Sequence, residues 1–334
     1  MDDISDNNLQ DKVNNMISYH RDLCKRDPNN YKARVDFGVF YTQLGNHKEA
    51  IELFKEALLI NNSDYSIWRL IGISYTKLKN YDDAIMHLEK AYKIENNDYI
   101  SLNWLGKCYI EVGRYEEAVD VLNKSFMISP KEYLNWRTLG IALYHLKRMD
   151  EAIESFERAM ELNKYDYESL YMLALSYKDK YQYKKSIDIL KKILEVEKDN
   201  YSVYFNIGFC FFMLNDFNNA LSSFIKASNI DNKDYLLYYY IGISLYEIKD
   251  YMNAIDNLNK AIEINNKHSS SYYYLGLVYY SAGLYDNAIY VLEECIKLDN
   301  SNKEIYILLS NTYNAMGDIE KSIIAFNKSK EFMP

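Results

Sequence analysis

YSIWRLIGISYTKLKNYDDAIMHLEKAYKIENND, residues 65–98, reads as two short amphipathic helices. Trp68, Ile71, Gly72 and Tyr75 fall at helical spacings of three and four on the first helix, and Ala84, Leu88 and Ala91 do so on the second. Lys79-Asn80 stands between them as a turn. The same 34-residue unit recurs without an insertion, beginning at Tyr31, Tyr65, Tyr99, Tyr133, Tyr167, Tyr201, Tyr235, Ser269 and Lys303. The place of Gly72 is kept by Gly38, Gly106, Gly140, Gly208, Gly242 and Gly276, with Ala174 and Ser310 in the other two units. The place of Ala84 is kept by Ala50, Ala118, Ala152, Ala220, Ala254 and Ala288, with Ser186 and Ser322 in those same two.

Residues that break helices hold this register too. Each of the 11 glycines stands either at the Gly72 place or in the turn between paired helices, where Gly45, Gly113, Gly283 and Gly317 fall. The three prolines, Pro28, Pro130 and Pro334, are multiples of 34 apart, at the end of the second helix. A small residue lets two helices approach closely, Gly can take the left-handed conformation that ends a helix, and Pro stops one.

A Trp, Leu-Gly and Tyr pattern on a first helix, followed by Ala and an apolar residue on a second, resembles the tetratricopeptide repeat. The resemblance covers nearly the whole chain. It implies an all-α fold, an α-solenoid of antiparallel helix pairs winding into a right-handed superhelix, with first helices lining its concave side. The expected organisation is an acidic, disordered tail over 1–10 and a capping helix over 11–30. Repeats follow at 31–64, 65–98, 99–132, 133–166, 167–200, 201–234, 235–268, 269–302 and 303–334. Pro28 is in register with Pro130, so the helix before it reads as a second helix without its partner, covering the edge of the first unit. Asn30, Asp64, Asp98, Glu132, Asp166, Asn200, Asp234, His268 and Asn302 precede the first helices, and most are good N-caps.

Composition narrows the function classes. The chain is 49% hydrophobic and 26% charged, with a net charge of -9, which argues against a nucleic-acid or anionic-membrane footprint. No apolar run is long enough for a membrane span, and the opening MDDISDNNLQ resembles neither a signal nor a transit peptide; a cytoplasmic location is the expectation. Cys24, Cys108, Cys210 and Cys295 form no CxxC pair and read as reduced, mostly buried thiols. His20, His47, His87, His145 and His268 are scattered over different units. There is no phosphate loop, HExxH or nucleophile elbow, so neither an enzyme nor a cofactor or metal is expected. Paired carboxylates such as Asp82-Asp83 and Glu116-Glu117 start second helices, where negative charge suits the helix dipole.

The candidate site is the inner surface that the resemblance implies. Its places in the Tyr65 unit are Ser66, Arg69, Ile73, Thr76 and Lys77. Along units two to four they give a polar, basic stretch with Arg69, Lys77, Asn103, Lys107, Arg137, Tyr144 and His145, net positive after Glu111 is counted. Along units six to eight they give an aromatic one, with Phe205, Phe209, Phe212, Tyr239, Ile243, Tyr246, Tyr273, Leu277 and Tyr280. The reading is a protein-interaction scaffold whose groove holds a partner peptide, acidic residues on the basic part and apolar ones on the aromatic part. Three alternatives stand beside it: a carrier or sensor enclosing a small apolar ligand near Phe209, Tyr246 and Tyr280; a protein that self-associates through its C-terminal end; and an arm for a catalytic chain. The carboxylate clamp known in the family is not matched, since Val35, Val39, Leu70, Ile100 and Trp104 occupy its places, and no asparagine ladder is present beside Asn206.

Overall fold

A computed structural model describes residues 2–332, with side chains from residue 11. The described residues form nineteen helices, α1 (Asp2–Arg26) to α19 (Ile319–Lys330), with no strand. First helices begin at the residues the repeat register marks: α2 (Tyr31–Gln43), α4 (Tyr65–Lys77), α6 (Tyr99–Glu111), α8 (Tyr133–His145), α12 (Tyr201–Met213), α14 (Tyr235–Glu247), α16 (Ser269–Ser281) and α18 (Lys303–Ala315). The chain divides into two compact units, residues up to Ser176 and residues from Tyr177, the division falling within α10 (Tyr167–Asp179).

In the first unit α2 packs on α3 (His47–Ile60), α4 on α5 (Tyr81–Ile94), α6 on α7 (Tyr115–Ile128) and α8 on α9 (Met149–Leu162), and α3, α5 and α7 also pack on the next first helix. The second unit repeats this from α11 (Tyr183–Leu194) onward, with α12 on α13 (Phe217–Ile230), α14 on α15 (Tyr251–Ile264), α16 on α17 (Tyr285–Leu298) and α18 on α19. Within a pair the approach is close because a small residue faces a large one. A Cβ at Gly72 would lie 2.5 Å from Cγ of Leu88, which is fully buried. Phe54, Phe156, Phe224, Leu122 and Leu258 fill the same place in other pairs. Burying each such side chain contributes about 1.5–3 kcal/mol.

Local geometry repeats with the same period. Each turn between paired helices has one left-handed residue, at φ 75–83° for Gly45, Gly113, Gly283 and Gly317. Lys79, Lys147, Tyr181, Asn215 and Lys249 take that conformation without glycine's freedom. The Trp68 indole donates to Asn62 O at 3.0 Å and the Trp136 indole to Pro130 O at 3.1 Å, tying each first helix to the linker before it. Tyr272 and Tyr306 do the same with Asn266 and Asn300. Asn30, Asp64, Asp98, Asn200, Asp234 and Asn302 cap their helices as expected, whereas Glu132 and His268 make no such bond.

Helix α1 packs on α2, with His20 stacked on Phe37 at 5.4 Å and Phe40 at 5.3 Å. The helix starts at Asp2, so the backbone over residues 2–10, expected as a tail, is helical. Among the described residues no helix is long and apolar enough to cross a membrane.

Candidate functional site

First helices α4, α6 and α8 stand side by side in the first unit, and their exposed face carries the residues expected to be basic. Two of these cations have structural partners. Arg69 donates to Asp98 at 2.9 Å and Arg137 to Asp166 at 2.7 Å, each reaching the acid that begins the next first helix. Asp98 and Asp166 are buried and also accept from the hydroxyls of Ser101 and Ser169, at 2.5 Å each. Arg137 further pairs with Glu168 at 2.9 Å. Burying a carboxylate requires such a counter-charge, so these arginines hold successive repeats together. The expectation that this stretch is net positive is corrected accordingly: Asp98, Glu132, Asp166 and Glu168, supplied by linkers and neighbouring helices, offset it.

Lys77 and Lys107 differ from the arginines. Both ammonium groups lie over the ring of Trp104, at 5.4 and 5.5 Å, and neither makes an ion pair among the described residues. Both are exposed. Asn103 accepts from Ser125 Oγ at 2.6 Å, and Ser125 Oγ accepts from the Asn135 amide at 3.1 Å. Asn135 is 1% exposed, and its Oδ1 has no donor.

Two adjoining clefts open on this face. One, of about 280 Å³, lies between Ile100, Trp104 and Lys107 of α6 and Leu134, Asn135 and Thr138 of α8. The other, of about 510 Å³, continues past Ile110, Ile141 and His145 toward Glu168 and Met172. Lys107, Arg137 and Thr138 line both. His145 is stacked on Tyr115 at 4.6 Å, and Glu111 accepts from the Tyr81 hydroxyl at 3.2 Å. Thr76, expected on this face, is buried instead; its hydroxyl donates to Gly72 O and lies 3.1 Å from Cys108 Sγ.

The aromatic residues expected in the second unit form a connected layer. Phe205, Phe209 and Phe212 all approach Tyr240 edge-on, at 6.1, 5.5 and 5.2 Å. Tyr239 meets His268 at 4.9 Å and Tyr274 at 5.6 Å, and Tyr273 meets Tyr274 at 5.5 Å. Tyr246 and Tyr280 lean on Tyr251 and Tyr285. All these rings are half-buried, and Phe205, Phe212, Tyr239, Tyr246, Tyr273 and Tyr280 pack against the apolar core. Phe209 carries the Lys178 ammonium 5.6 Å from its ring. Ile243, expected on the same face, is buried.

Sequence reasoning placed Tyr240 and Tyr274 in no role and took Trp104 only as a departure from the family's clamp. The available signal was position: Trp104, Tyr240 and Tyr274 share one place in the repeat. Asn135 was missed as well; it takes a place held by Ala33, Ile67, Val203 and Leu237 in other units. Cys108, Cys210 and Cys295 are buried free thiols and Cys24 is half-buried. No cluster of three or more His, Cys, Asp or Glu that could hold a metal ion is found among the described residues.

Comparison with known proteins agrees with the architecture. A family model described as anaphase-promoting complex, cyclosome, subunit 3 matches residues 10–91, 87–159 and 250–329, and one described as tetratricopeptide repeat matches 167–200. The C-terminal part of a TPR repeat-containing protein from Cytophaga hutchinsonii is similar at a TM-score of 0.60 and 18% identity, over 71% of this chain and 98% of that one. The APC/C hetero-tetramer Cut9-Hcn1 is similar at 0.50 and 15%, over 91% and 74%. YrrB, described as a TPR protein with an unusual peptide-binding site, is similar at 0.50 and 21%, over 55% and 95%. A search of curated protein sequences returns no match.

Proposed function

Because the chain belongs to the tetratricopeptide-repeat family, whose models match it over most of its length, we propose a non-enzymatic interaction scaffold that holds an extended segment of a partner protein against α6 and α8. The observation that carries this reading is the pair of adjoining clefts, which share Lys107, Arg137 and Thr138 and so form one track. A track in which Ile100, Trp104, Leu134, Ile110, Ile141 and Met172 stand among charged and polar groups suits a peptide laid along it. In the second unit, the half-buried rings around Phe209 offer apolar side chains a further contact surface. They are braced edge-on by one another, which supports contact with a partner segment over enclosure of a small ligand.

Site-specific photocrosslinking tests this. A benzophenone amino acid at Ile141, in the track, should capture a partner that the same probe at Leu59, 89% exposed on a second helix, does not. Equal capture from both positions, or none from Ile141, would remove the track from consideration.

A second reading is favoured by one observation at α19, where Ile319, Ile323 and Phe326 are 55%, 55% and 44% exposed. They stand nine repeat periods after Val13, Ile17 and His20, on the helix that packs on α2. Helix α2 of a second copy, once its own α1 is displaced, is therefore the surface this stripe fits. Sedimentation velocity checks it: association that rises with concentration and is lost in Phe326→Asp is expected, and a monomer at every concentration refutes it.

A further inference from the structure

The joints between successive first helices use the same three places, and at one joint all three residues change. Arg69 of α4 and Arg137 of α8 donate to the acids that begin the next first helices, Asp98 and Asp166, and Ser101 and Ser169 donate to the same two carboxylates. The joint from α6 to α8 has Asn103 at the arginine place, Glu132 at the acid place and Asn135 at the serine place. Neither asparagine reaches the acid. Asn103 accepts from Ser125 Oγ and Asn135 donates to it. The half-buried Glu132 carboxylate makes no hydrogen bond or ion pair among the described residues and gives its helix no cap. Asn135 Oδ1 receives no donor either.

Asparagine in place of arginine also leaves space. The cleft of about 280 Å³ beside Trp104 is lined by Tyr99, Asn103, Glu132 and Asn135, with Ile100 and Leu134 among its walls. One repeat earlier, the Arg69 guanidinium lies 5.4 Å from the Tyr65 ring and donates to Asp98. Tyr99 and Glu132 hold those two places here, so the cleft keeps the ring and the carboxylate and lacks the cation. The cations in its lining do not supply it. Arg137 is spent on Asp166 and Glu168. Lys107 lies over Trp104 at 5.5 Å and makes no pair with Glu132. Lys107 is also exposed, so water screens its repulsion of an incoming cation.

A simple cation would meet the carboxylate alone. A guanidinium meets it with two parallel N–H groups, stacks on tyrosine and keeps further N–H groups for Asn135 Oδ1, while its apolar stem lies along Ile100 and Leu134. We propose that this cleft takes an arginine side chain of the partner segment, its guanidinium standing against Tyr99 and donating to Glu132 as Arg69 stands against Tyr65 and donates to Asp98. The proposal rests on the track reading above and names the residue that the track selects. The partner thus completes a joint that Arg69 and Arg137 complete from within the chain one repeat to either side.

The test is fluorescence anisotropy on the full chain with labelled synthetic peptides centred on Leu-Arg-Leu, Leu-Lys-Leu and Leu-Gln-Leu. Wild type is expected to bind the Arg peptide about tenfold more tightly than the Gln peptide, with the Lys peptide between them. Glu132→Gln should abolish that preference, Asn103→Arg should abolish it by filling the cleft from within, and Lys107→Gln should strengthen it. Equal binding of the Arg and Gln peptides by wild type would overturn the arginine assignment and leave the track standing; no binding of any peptide would remove the track too. Equal binding of the Arg and Lys peptides would show plain charge attraction and overturn the assignment. A readout without ligand accompanies these: Glu132→Gln should lower the urea midpoint of Asn103→Arg and leave that of wild type unchanged, because only an arginine at 103 reaches Glu132. An equal shift in both backgrounds would show that no guanidinium fits between Tyr99 and Glu132, and the proposal would fall.

Discussion

Arg69→Ala separates a residue that holds the repeats from one that meets a partner. The Asp98 side chain is 2% exposed and accepts from Arg69 at 2.9 Å, from Ser101 Oγ at 2.5 Å and from Ser101 N at 3.3 Å. Alanine at 69 leaves both serine bonds and removes the only counter-charge among these partners. Breaking a buried pair from one side costs about 3–5 kcal/mol, and an exposed pair is worth about 0–1 kcal/mol. Arg69 is 20% exposed, so water screens part of the loss and a cost of about 2–3 kcal/mol is expected from those two limits. Asp98→Asn supplies the control, because it keeps an acceptor for the cap and removes the charge that needs Arg69. The two changes together should therefore cost less than their sum, by about 1–2 kcal/mol. The chain's three tryptophans, Trp68, Trp104 and Trp136, all lie on α4, α6 and α8, so urea unfolding followed by their fluorescence reports this region. A loss under about 0.5 kcal/mol, or strict additivity of the two changes, would refute the view that Arg69 holds one repeat to the next.

Gly106→Ala places a methyl 2.7 Å from Cγ of Leu122. About 1–3 kcal/mol of overpacking, offset by about 1 kcal/mol of helix propensity, should leave it neutral to destabilising by 2 kcal/mol in urea titration. Leu122→Ala should cost about 2–5 kcal/mol alone and less in the Gly106→Ala background, where the new methyl fills part of the cavity. His268, half-buried with Nδ1 2.8 Å from Ser271 Oγ, has its pKa lowered by burial. The folded chain thus takes up that proton less readily than the unfolded chain, so its contribution is present above about pH 6.5 and declines as pH falls below it. The protection factor at the start of α16, taken against the intrinsic exchange rate at each pH, should fall between pH 7.5 and 5.5, and a His268→Gln variant should flatten that dependence. Burial pushes the Cys295 thiol up to about 12 and raises Cys108 and Cys210 as well. Burial raises the Cys24 thiol too, so access decides: native protein at neutral pH should react with maleimide first at half-buried Cys24, the other three being buried, as peptide mapping would show.

Much of this protein was legible in its sequence because its contacts are local. A repeat whose second helix packs on its own first helix and on the next writes its fold into one period, and Gly72 opposite Leu88 is such a local contact. Helix starts, caps at Asp64 and Asn200, and the positions of turns all follow from that period. The acceptance of Lys79 and Tyr181 in left-handed turns was not marked by composition, yet it follows from the same register once Gly45 and Gly113 are superposed on it.

The tertiary structure decided which polar residues are spent and which are free. In sequence, Arg69, Lys77, Lys107 and Arg137 are four cations on one helical face. Folding brings Asp98 and Asp166 from the following linkers, 29 residues away, onto the arginines alone, because only the guanidinium at that place reaches the next N-cap. The lysines lie further along the helix and meet Trp104 instead. The orphaned oxygen of Asn135 and the bracing of Phe205, Phe209 and Phe212 by Tyr240 are likewise relations between helices. Helical periodicity specifies a face; what each side chain on it meets is settled only when the neighbouring repeats close around it.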